Sequence, residues 1–182
     1  EATEENLRAT TRKIENLITQ TLNTLRECDL NEESYSFEAQ EVLNLAASKF
    51  NDEGSELRVS VLESAAADQK IDNLKANLIL PILHNLIQNS IDSEPGVKVF
   101  LLAELENESL ILSVRDNGPG IPEGLKGSLF KPIQSQKENG SGIGLAICKE
   151  LAQRADATVT LDKSTDKGTS FAVAIPIDKT PN

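Results

Sequence analysis

The chain has 182 residues, of which 38% are hydrophobic and 26% charged. This is the composition of a globular protein, and its supply of Leu, Ile, Val and Ala excludes an intrinsically disordered chain. The formal net charge of −11 argues against nonspecific binding to nucleic acid or to an anionic membrane surface, because both require a basic patch.

Residues 1–30 are predicted to form one helix, because apolar residues recur there at helical spacings. The apolar stripe is narrow, which fits the seam of a helical hairpin as well as it fits an ordinary surface helix. The stripe consists of Leu7, Ile14, Leu17, Ile18, Leu22 and Leu25. The polar residues 29–35 that follow predict a linker.

Cysteine and histidine are scarce. Cys28 and Cys148 form no CxxC pair, and His84 alone is too few for a zinc site. Unpaired thiols in a reducing compartment are therefore expected. No apolar run approaches the roughly 20 residues that span a bilayer, and the chain contains no Met. We expect a cytoplasmic fragment of a longer protein, whose parent can still be anchored in a membrane.

Residues 36–178 are predicted to form the main domain. Helices are expected from Ser36 to about residue 50, over residues 78–93 with Pro81 in the first turn, and over residues 142–155. Strands are expected at residues 57–61, 97–105, 110–115, 158–161 and 169–175. Residues 63–75 fit a poorly defined strand or a loop. This order predicts an α+β fold, a two-layer α/β sandwich whose mixed, largely antiparallel sheet is backed by helices and preceded by one long helix.

The first of three candidate site clusters lies in the predicted central helix. Asn85 and Asn89 are four residues apart, so both amides project from one helical face. Amide oxygens can bind a hard cation such as Mg²⁺, while water and phosphate complete its shell. Taken alone, the pattern is explained better by asparagines that bond backbone groups.

The second cluster is Asp116-Asn117-Gly118-Pro119-Gly120, directly after a predicted strand. A carboxylate is the acceptor that the exocyclic amine of adenine requires, and glycine lets a flat base approach the backbone. An ordinary type I or II turn explains the same residues equally well.

The third cluster, residues 140–147, is a glycine-rich turn that opens a helix, where backbone N–H groups can face phosphate oxygens. The Gly-Lys-Ser/Thr ending of a P-loop is missing. The glycine spacing and the absence of a parallel βαβ unit also exclude a Rossmann fingerprint.

In this order, the clusters resemble the ATP-binding catalytic domain of sensor histidine kinases, within the GHKL superfamily. The resemblance covers about residues 36–177. Asn85 and Asn89 match the N box, Asp116, Gly118 and Gly120 the G1 box, and Gly140, Gly142 and Gly144 the G2 box. Leu129-Phe130-Lys131-Pro132 resembles the F box, and Gly168-Thr169-Ser170-Phe171 resembles the Gly-Thr pair that closes the adenine pocket.

The resemblance implies that Asp116 binds the adenine amine of ATP, that Asn89 ligates Mg²⁺ and that Asn85 supports the phosphates. It also implies a mobile ATP lid over residues 121–141, in which Lys137 either pairs with a phosphate or is simply solvated. The other residues that it places at the nucleotide are Gly118, Gly120, Ile121, Phe130, Gly140, Ser141, Gly142, Ile143, Gly144, Leu145 and Thr169.

Asn85 also bears on the reaction type, and the resemblance makes it the catalytic position. In the ATPases of the superfamily, the residue four positions before the Mg²⁺ asparagine is a Glu that activates water. A carboxamide is not basic enough to be a general base, so Asn85 disfavours hydrolysis and favours phosphoryl transfer. Lys131 and Asp92 depart from the family pattern, which puts lid contacts and one phosphate contact in question.

A histidine kinase also needs a phosphoaccepting histidine on a helical hairpin, and His84 is not placed to be that residue. Residues 1–30 resemble the second helix of such a hairpin, so the acceptor would precede this chain. We expect a fragment that binds Mg-ATP without phosphorylating itself, a homodimeric parent, a response regulator receiver domain as partner, and no nucleic acid. A degenerate GHKL module that acts through protein–protein interaction and a GHKL Ser/Thr protein kinase are the alternatives.

Overall fold

The computed structural model describes residues 35–51, 58–131 and 143–177. Its strands are β1 (Ser36–Glu38), β2 (Val59–Val61), β3 (Lys70–Asp72), β4 (Val99–Glu106), β5 (Ser109–Asp116), β6 (Thr158–Thr165) and β7 (Gly168–Pro176). Its helices are α1 (Ala39–Ser48), α2 (Asn73–Ile91), α3 (Glu123–Lys126) and α4 (Gly144–Arg154). The helix predicted over residues 1–30 lies outside the described residues.

The main sheet has five strands in the order β2-β4-β5-β7-β6. Only the β2–β4 pair is parallel, so the sheet is mixed and largely antiparallel, as the sequence predicted. The predicted hairpin between β4 and β5 turns at Asn107 and Glu108, which both have positive φ angles, as a two-residue type I′ turn requires. Strands β1 and β3 form a separate antiparallel pair.

The core lies between one face of this sheet and helices α1, α2 and α4. Alternate residues of each central strand point into it, which is the period of two expected for a strand with one buried face. The largest fully buried side chains are aliphatic, as the composition predicted: Leu43, Ile71, Ile79, Ile82, Leu83, Leu86, Ile87, Leu101, Leu110, Leu112, Val59 and Val99. The two-layer α/β sandwich is therefore confirmed.

The opposite face of the sheet carries half-buried apolar residues, among them Phe100, Leu102 and Ile111. A salt bridge of 2.6 Å joins Arg115 on β5 to Glu104 on β4 on this face. The long side chains of such a pair can shield apolar surface while their charged ends stay in water.

The predicted start of the central helix is wrong. Helix α2 begins at Asn73 rather than near residue 78, because the carboxylate of Asp72 accepts a hydrogen bond of 2.8 Å from the backbone N–H of Lys75 and so caps the first turn. Pro81 therefore lies inside the helix rather than in its first turn. Burial of one apolar face along the whole helix offsets the backbone hydrogen bond that a proline removes.

Other boundaries also differ from the prediction. Residues 36–38 are strand β1 rather than the start of a helix, and α1 begins after a capping box between Glu38 and Glu41. Its backbone hydrogen bond, from Glu38 N to Glu41 Oε2, is 2.7 Å long. Within residues 121–141, where the resemblance implies the lid, residues 123–126 form the short helix α3.

Candidate nucleotide-binding site

Asp116 ends strand β5, and three donors hold its carboxylate. Oδ1 accepts hydrogen bonds from the backbone N–H of Gly118 at 2.9 Å and of Thr169 at 3.0 Å. Oδ2 accepts a hydrogen bond from the hydroxyl of Ser90 on α2 at 2.8 Å. Because each carboxylate oxygen has about two acceptor positions, Oδ1 is saturated and Oδ2 keeps one position open. Asp116 is only half-buried.

The start of β7 approaches Asp116 closely enough to exclude a side chain at Gly168. This residue has a φ of +136°, and a Cβ there would lie 1.9 Å from the carbonyl oxygen of Asp116. Only glycine combines that backbone angle with so close an approach. Gly168 therefore allows the next residue, Thr169, to point its N–H at the carboxylate, and Thr169 itself is 7% exposed.

The loop after Asp116 is attached to the β6–β7 hairpin. Gly120 has a φ of +77°, and a Cβ there would lie 2.0 Å from the carbonyl oxygen of Thr165. The N–H of Ile121 donates a hydrogen bond of 2.7 Å to the hydroxyl of Ser164. A Cβ at Gly118 would lie 2.8 Å from the Ser93 hydroxyl oxygen. The two glycines of this loop thus permit close packing on both sides of Asp116.

Asn85 and Asn89 lie together on α2, and the amide of Asn89 donates a hydrogen bond of 3.0 Å to Oδ1 of Asn85. This bond uses the nitrogen of Asn89, so its carbonyl oxygen stays available to a ligand. A Cβ at Gly144 would lie 2.7 Å from the Asn85 amide nitrogen and 2.9 Å from its oxygen. The two amides therefore lie where α2 meets the N-terminus of α4.

The glycine-rich cluster is described in part. Ile143 precedes α4, and Gly144 and Leu145 form its first turn, whose backbone N–H groups lack helical partners. Leu145 is half-buried against the core. Gly140, Ser141 and Gly142, like Lys137 in the predicted lid, lie outside the described residues.

The predicted F box packs onto the core. The ring of Phe130 meets the ring of Phe171 edge to face, with the ring centroids 6.3 Å apart, and Leu129 is also half-buried against the core. Lys131 is exposed at the end of this segment. Its departure from the family pattern leaves this packing intact. Asp92, the other departure, follows α2 and accepts a hydrogen bond of 2.7 Å from Gln88.

Ser90 is the residue that sequence reasoning missed. It directly follows Asn89, and one helical step turns its side chain by about 100°, away from the amides and towards Asp116. The available signal was its position three and four residues after the buried Ile87 and Leu86. A hydroxyl on the buried face of a helix needs a polar partner.

Neither His84 nor Cys148 has the properties of a reactive group. Burial, and next the positive charge of Lys49, lower the pKa of His84 to about 4, and its ring packs edge to face against Phe50 with the centroids 5.9 Å apart. Burial raises the pKa of the Cys148 thiol to about 12. His84 is thus neutral at pH 7 and Cys148 stays protonated.

A shallow cavity of about 490 Å³ opens beside the site, at the β6–β7 hairpin. It extends from Asp116 and Thr169 to the side chains of Arg115, Lys163 and Lys167. Asn85 and Asn89 do not line it, so this cavity does not join Asp116 to the two amides on α2.

Among the described residues, no three His, Cys, Asp or Glu side chains are grouped to hold a metal ion. A cation at this site would therefore have to be bound by side-chain amide oxygens and by oxygens of a bound molecule.

A family model described as histidine kinase-, DNA gyrase B- and HSP90-like ATPase matches residues 75–179. The match covers more than half of the chain and contains Asn85, Asn89, Asp116 and Thr169. The chain belongs to this family. Within the described ranges, no helix is both long and apolar enough to cross a membrane.

Relatives among curated proteins are bacterial sensor kinases. The circadian input-output histidine kinase CikA of Synechococcus elongatus is 32% identical over 167 residues, which cover 88% of this chain and 19% of that protein. The alginate biosynthesis sensor protein KinB of Pseudomonas aeruginosa is 28% identical over 144 residues, covering 75% and 24%. The C4-dicarboxylate transport sensor protein DctB of Rhizobium meliloti is 40% identical over 96 residues, covering 50% and 15%. The chain spans about a quarter or less of each relative's length.

Solved structures share the fold. The catalytic domain of histidine kinase ThkA superposes with a TM-score of 0.64 at 25% identity, covering 79% of this chain and 95% of that domain. Histidine kinase ThkA in complex with the response regulator protein TrrA gives a TM-score of 0.66 at 21% identity, covering 92% and 49%. The chain is thus an ATPase domain of the type found in two-component sensor histidine kinases.

Proposed function

We propose that this domain binds Mg-ATP along α2 and supplies the γ-phosphoryl group to a histidine outside the chain. One observation carries the proposal. Helix α2 presents Asn85 and Asn89 to the N-terminus of α4, while Ser90, one residue further, contacts Asp116. One helix therefore connects the Asp116 carboxylate, which suits a nucleobase, with the Asn85 and Asn89 amides, which suit phosphates and their cation.

At the base end, Asp116 would accept a hydrogen bond from the adenine amine at the open position of Oδ2. Gly118 and Thr169 fix the carboxylate. Gly120 and Ile121 begin the loop that is attached to the β6–β7 hairpin. The aromatic ring of Phe130, already packed on the core, would border the same pocket.

At the phosphate end, Asn85 and the first turn of α4 would face the phosphate oxygens, because free N–H groups at a helix N-terminus bind anions. Ile143, Gly144 and Leu145 provide this turn. Gly140, Ser141 and Gly142, with Lys137 in the lid, would complete the enclosure.

The available carbonyl oxygen of Asn89 fits Mg²⁺, which accepts a protein oxygen together with phosphate oxygens and water. Asn89 would hold the ion, and Asn85 would orient Asn89 through the amide–amide hydrogen bond. When bound, Mg²⁺ neutralises charge on the phosphates.

The reaction would transfer phosphoryl from oxygen to nitrogen. The bond between the γ-phosphorus and the bridging oxygen of ADP breaks, and a bond forms between that phosphorus and an imidazole nitrogen of the acceptor. Asn85 lacks the basicity to activate water, so the side chains of this domain position the nucleotide rather than hydrolyse it. His84, with its lowered pKa and its packing against Phe50, would not be the acceptor.

We also propose the arrangement of the parent. Residues 1–30 would be the second helix of a hairpin that carries the acceptor and pairs with a second hairpin in a homodimer. Residues 36–178 would be the ATP-binding domain, and a response regulator receiver domain would receive the phosphoryl group. The likeness to ThkA, whose complex with the response regulator TrrA has a solved structure, supports this partnership. On this view the fragment cannot phosphorylate itself.

Calorimetric titration with a nonhydrolysable Mg-ATP analogue tests nucleotide binding. We expect binding by the wild-type chain, and Asn89→Ala should weaken it only while Mg²⁺ is present. Absence of heat at millimolar nucleotide would favour the degenerate interaction module instead. Incubation with labelled ATP then tests the reaction: the chain alone should stay unlabelled and should label a hairpin domain added in trans.

A further inference from the structure

We infer that Ser90 is a positioning residue that makes the site selective for a 6-aminopurine over a 6-oxopurine. The inference rests on the proposed function, since it concerns the same pocket. Ser90 is 4% exposed, and its hydroxyl is the donor that approaches Oδ2 of Asp116, at 2.8 Å. The sequence motifs named above gave it no role.

The hydrogen bonds at Asp116 determine what the open position can accept. Oδ1 is saturated by the N–H groups of Gly118 and Thr169, so the carboxylate can recognise a ligand only through Oδ2. The Ser90 hydroxyl occupies one side of Oδ2. Because that hydroxyl donates its single hydrogen to Asp116, its own oxygen can only accept further bonds.

The group that the proposed pocket presents at this point is therefore an acceptor, the second position of Oδ2. An exocyclic amine offers the N–H group that such an acceptor requires. An oxo group at the same place of the base would face an acceptor with no hydrogen between them, and a buried polar mismatch of this kind is costly. The predicted selectivity is thus for adenine over hypoxanthine.

Ser90 also fixes the orientation of the carboxylate. Without its hydroxyl, Oδ2 would have two free positions, and a water molecule that donates one hydrogen to Oδ2 and the other to the ligand could satisfy an oxo group. Loss of the hydroxyl should therefore reduce discrimination between bases more than it reduces affinity for the phosphates. A purely structural role would instead lower the stability of the fold and leave the discrimination unchanged.

The test compares the dissociation constants of Mg-ADP and Mg-inosine diphosphate, which differ in the 6-amino and 6-oxo groups. We expect the wild-type chain to prefer ADP by at least about ten-fold, and Ser90→Ala to reduce this ratio at least about five-fold. Ser90→Thr keeps the hydroxyl and should retain the wild-type ratio. Asn89→Ala should weaken both ligands equally.

The control variant is Ser48→Ala, which removes a helical hydroxyl that bonds the carbonyl of Leu45. It should leave both dissociation constants unchanged. If Ser90→Ala does not fold, Ser90→Cys, with its weak S–H donor, replaces it and should lower the ratio in the same direction. If the variant that lacks the Ser90 hydroxyl folds and keeps the wild-type ratio, the role of Ser90 is overturned while the proposed function stands. Failure of the wild-type chain to bind either nucleotide overturns the proposed function as well.

Discussion

The two ends of the proposed site, both contacted by α2, are prepared to different degrees. At the base end, the carboxylate of Asp116 is held by Ser90, Gly118 and Thr169, and all of these bonds form within the fold. At the phosphate end, Asn85 and Asn89 bond each other, and part of the glycine-rich turn that faces them lies outside the described residues.

This difference indicates which part of the site has its geometry before a ligand binds and which part acquires it only with the ligand. The base end is constructed by strand pairing and by glycines that permit close approach, so its geometry should exist before any nucleotide binds. The amide pair leaves the side-chain oxygen of Asn89 available, and in the proposed site its final arrangement would depend on a cation and phosphates. Substitutions that block a close approach at the base end should therefore affect folding, whereas those at the phosphate end should affect binding alone.

The largest expected effect is that of Gly168→Ala on folding. Its Cβ would lie 1.9 Å from the carbonyl oxygen of Asp116, at a φ of +136° that L side chains disfavour. We expect the free energy of unfolding to fall by about 3 kcal/mol, measured by chemical denaturation. Gly127→Ala is the matched control, because a Cβ there meets no atom within 4 Å. Equal stability of the two variants would refute the close approach of β7 to Asp116.

The next effect is that of Asp116→Asn on binding. The new amide can still accept the backbone N–H bonds through its oxygen, so the fold should persist. Its nitrogen, however, would then face the adenine amine as a second donor. We expect nucleotide affinity to fall by about 1–3 kcal/mol in calorimetric titration. Unchanged affinity would remove Asp116 from the base pocket.

Gly144→Ala tests the phosphate end separately. Its Cβ would lie within 2.9 Å of both amide atoms of Asn85, and the flexible amide can move to avoid it. Stability should therefore change little, while Mg-ADP binding should weaken by about 1 kcal/mol. Adenosine, which lacks phosphates, should bind as well as before. Gly124→Ala, with no atom within 4 Å of its Cβ, should change neither; an equal loss for adenosine and Mg-ADP would contradict the assignment.

The smallest effect concerns pH. Because burial lowers the pKa of His84 from 6.5 to about 4, the unfolded chain takes up its proton first as pH falls. The contribution of the neutral ring is complete above pH 6.5 and is lost as the pH falls towards 4. Solvent screens the half-buried ring, so we expect a loss of about 1 kcal/mol.

The measurement for His84 is denaturation of the wild-type chain and of His84→Leu between pH 7 and pH 4. The chain has one histidine, so the difference between the two curves isolates its titration from that of the carboxylates. The variant should lose less stability on acidification. Parallel curves would contradict the lowered pKa.

The parts of the fold and site that could be predicted are those with local causes. The spacing of Asn85 and Asn89 places both on one helical face, and alternation of apolar residues locates β4, β5 and β7. The start of α2 was misplaced because its cap, Asp72, ends a short strand that pairs with β1. The pairing partner lies far away in the chain, so no local pattern indicates it.

From the sequence alone, the order of the motifs identified the family by resemblance. Periodicity predicted the largely antiparallel sandwich, because the spacing of apolar residues expresses local geometry. Only the tertiary structure decided what the site residues contact. Ser90 lies 26 residues before Asp116, and Thr169 lies 53 residues after it. Helix packing and strand pairing bring them to one carboxylate. Hydrogen bonds over such separations depend on how whole elements are arranged, and no pattern within one segment contains that information.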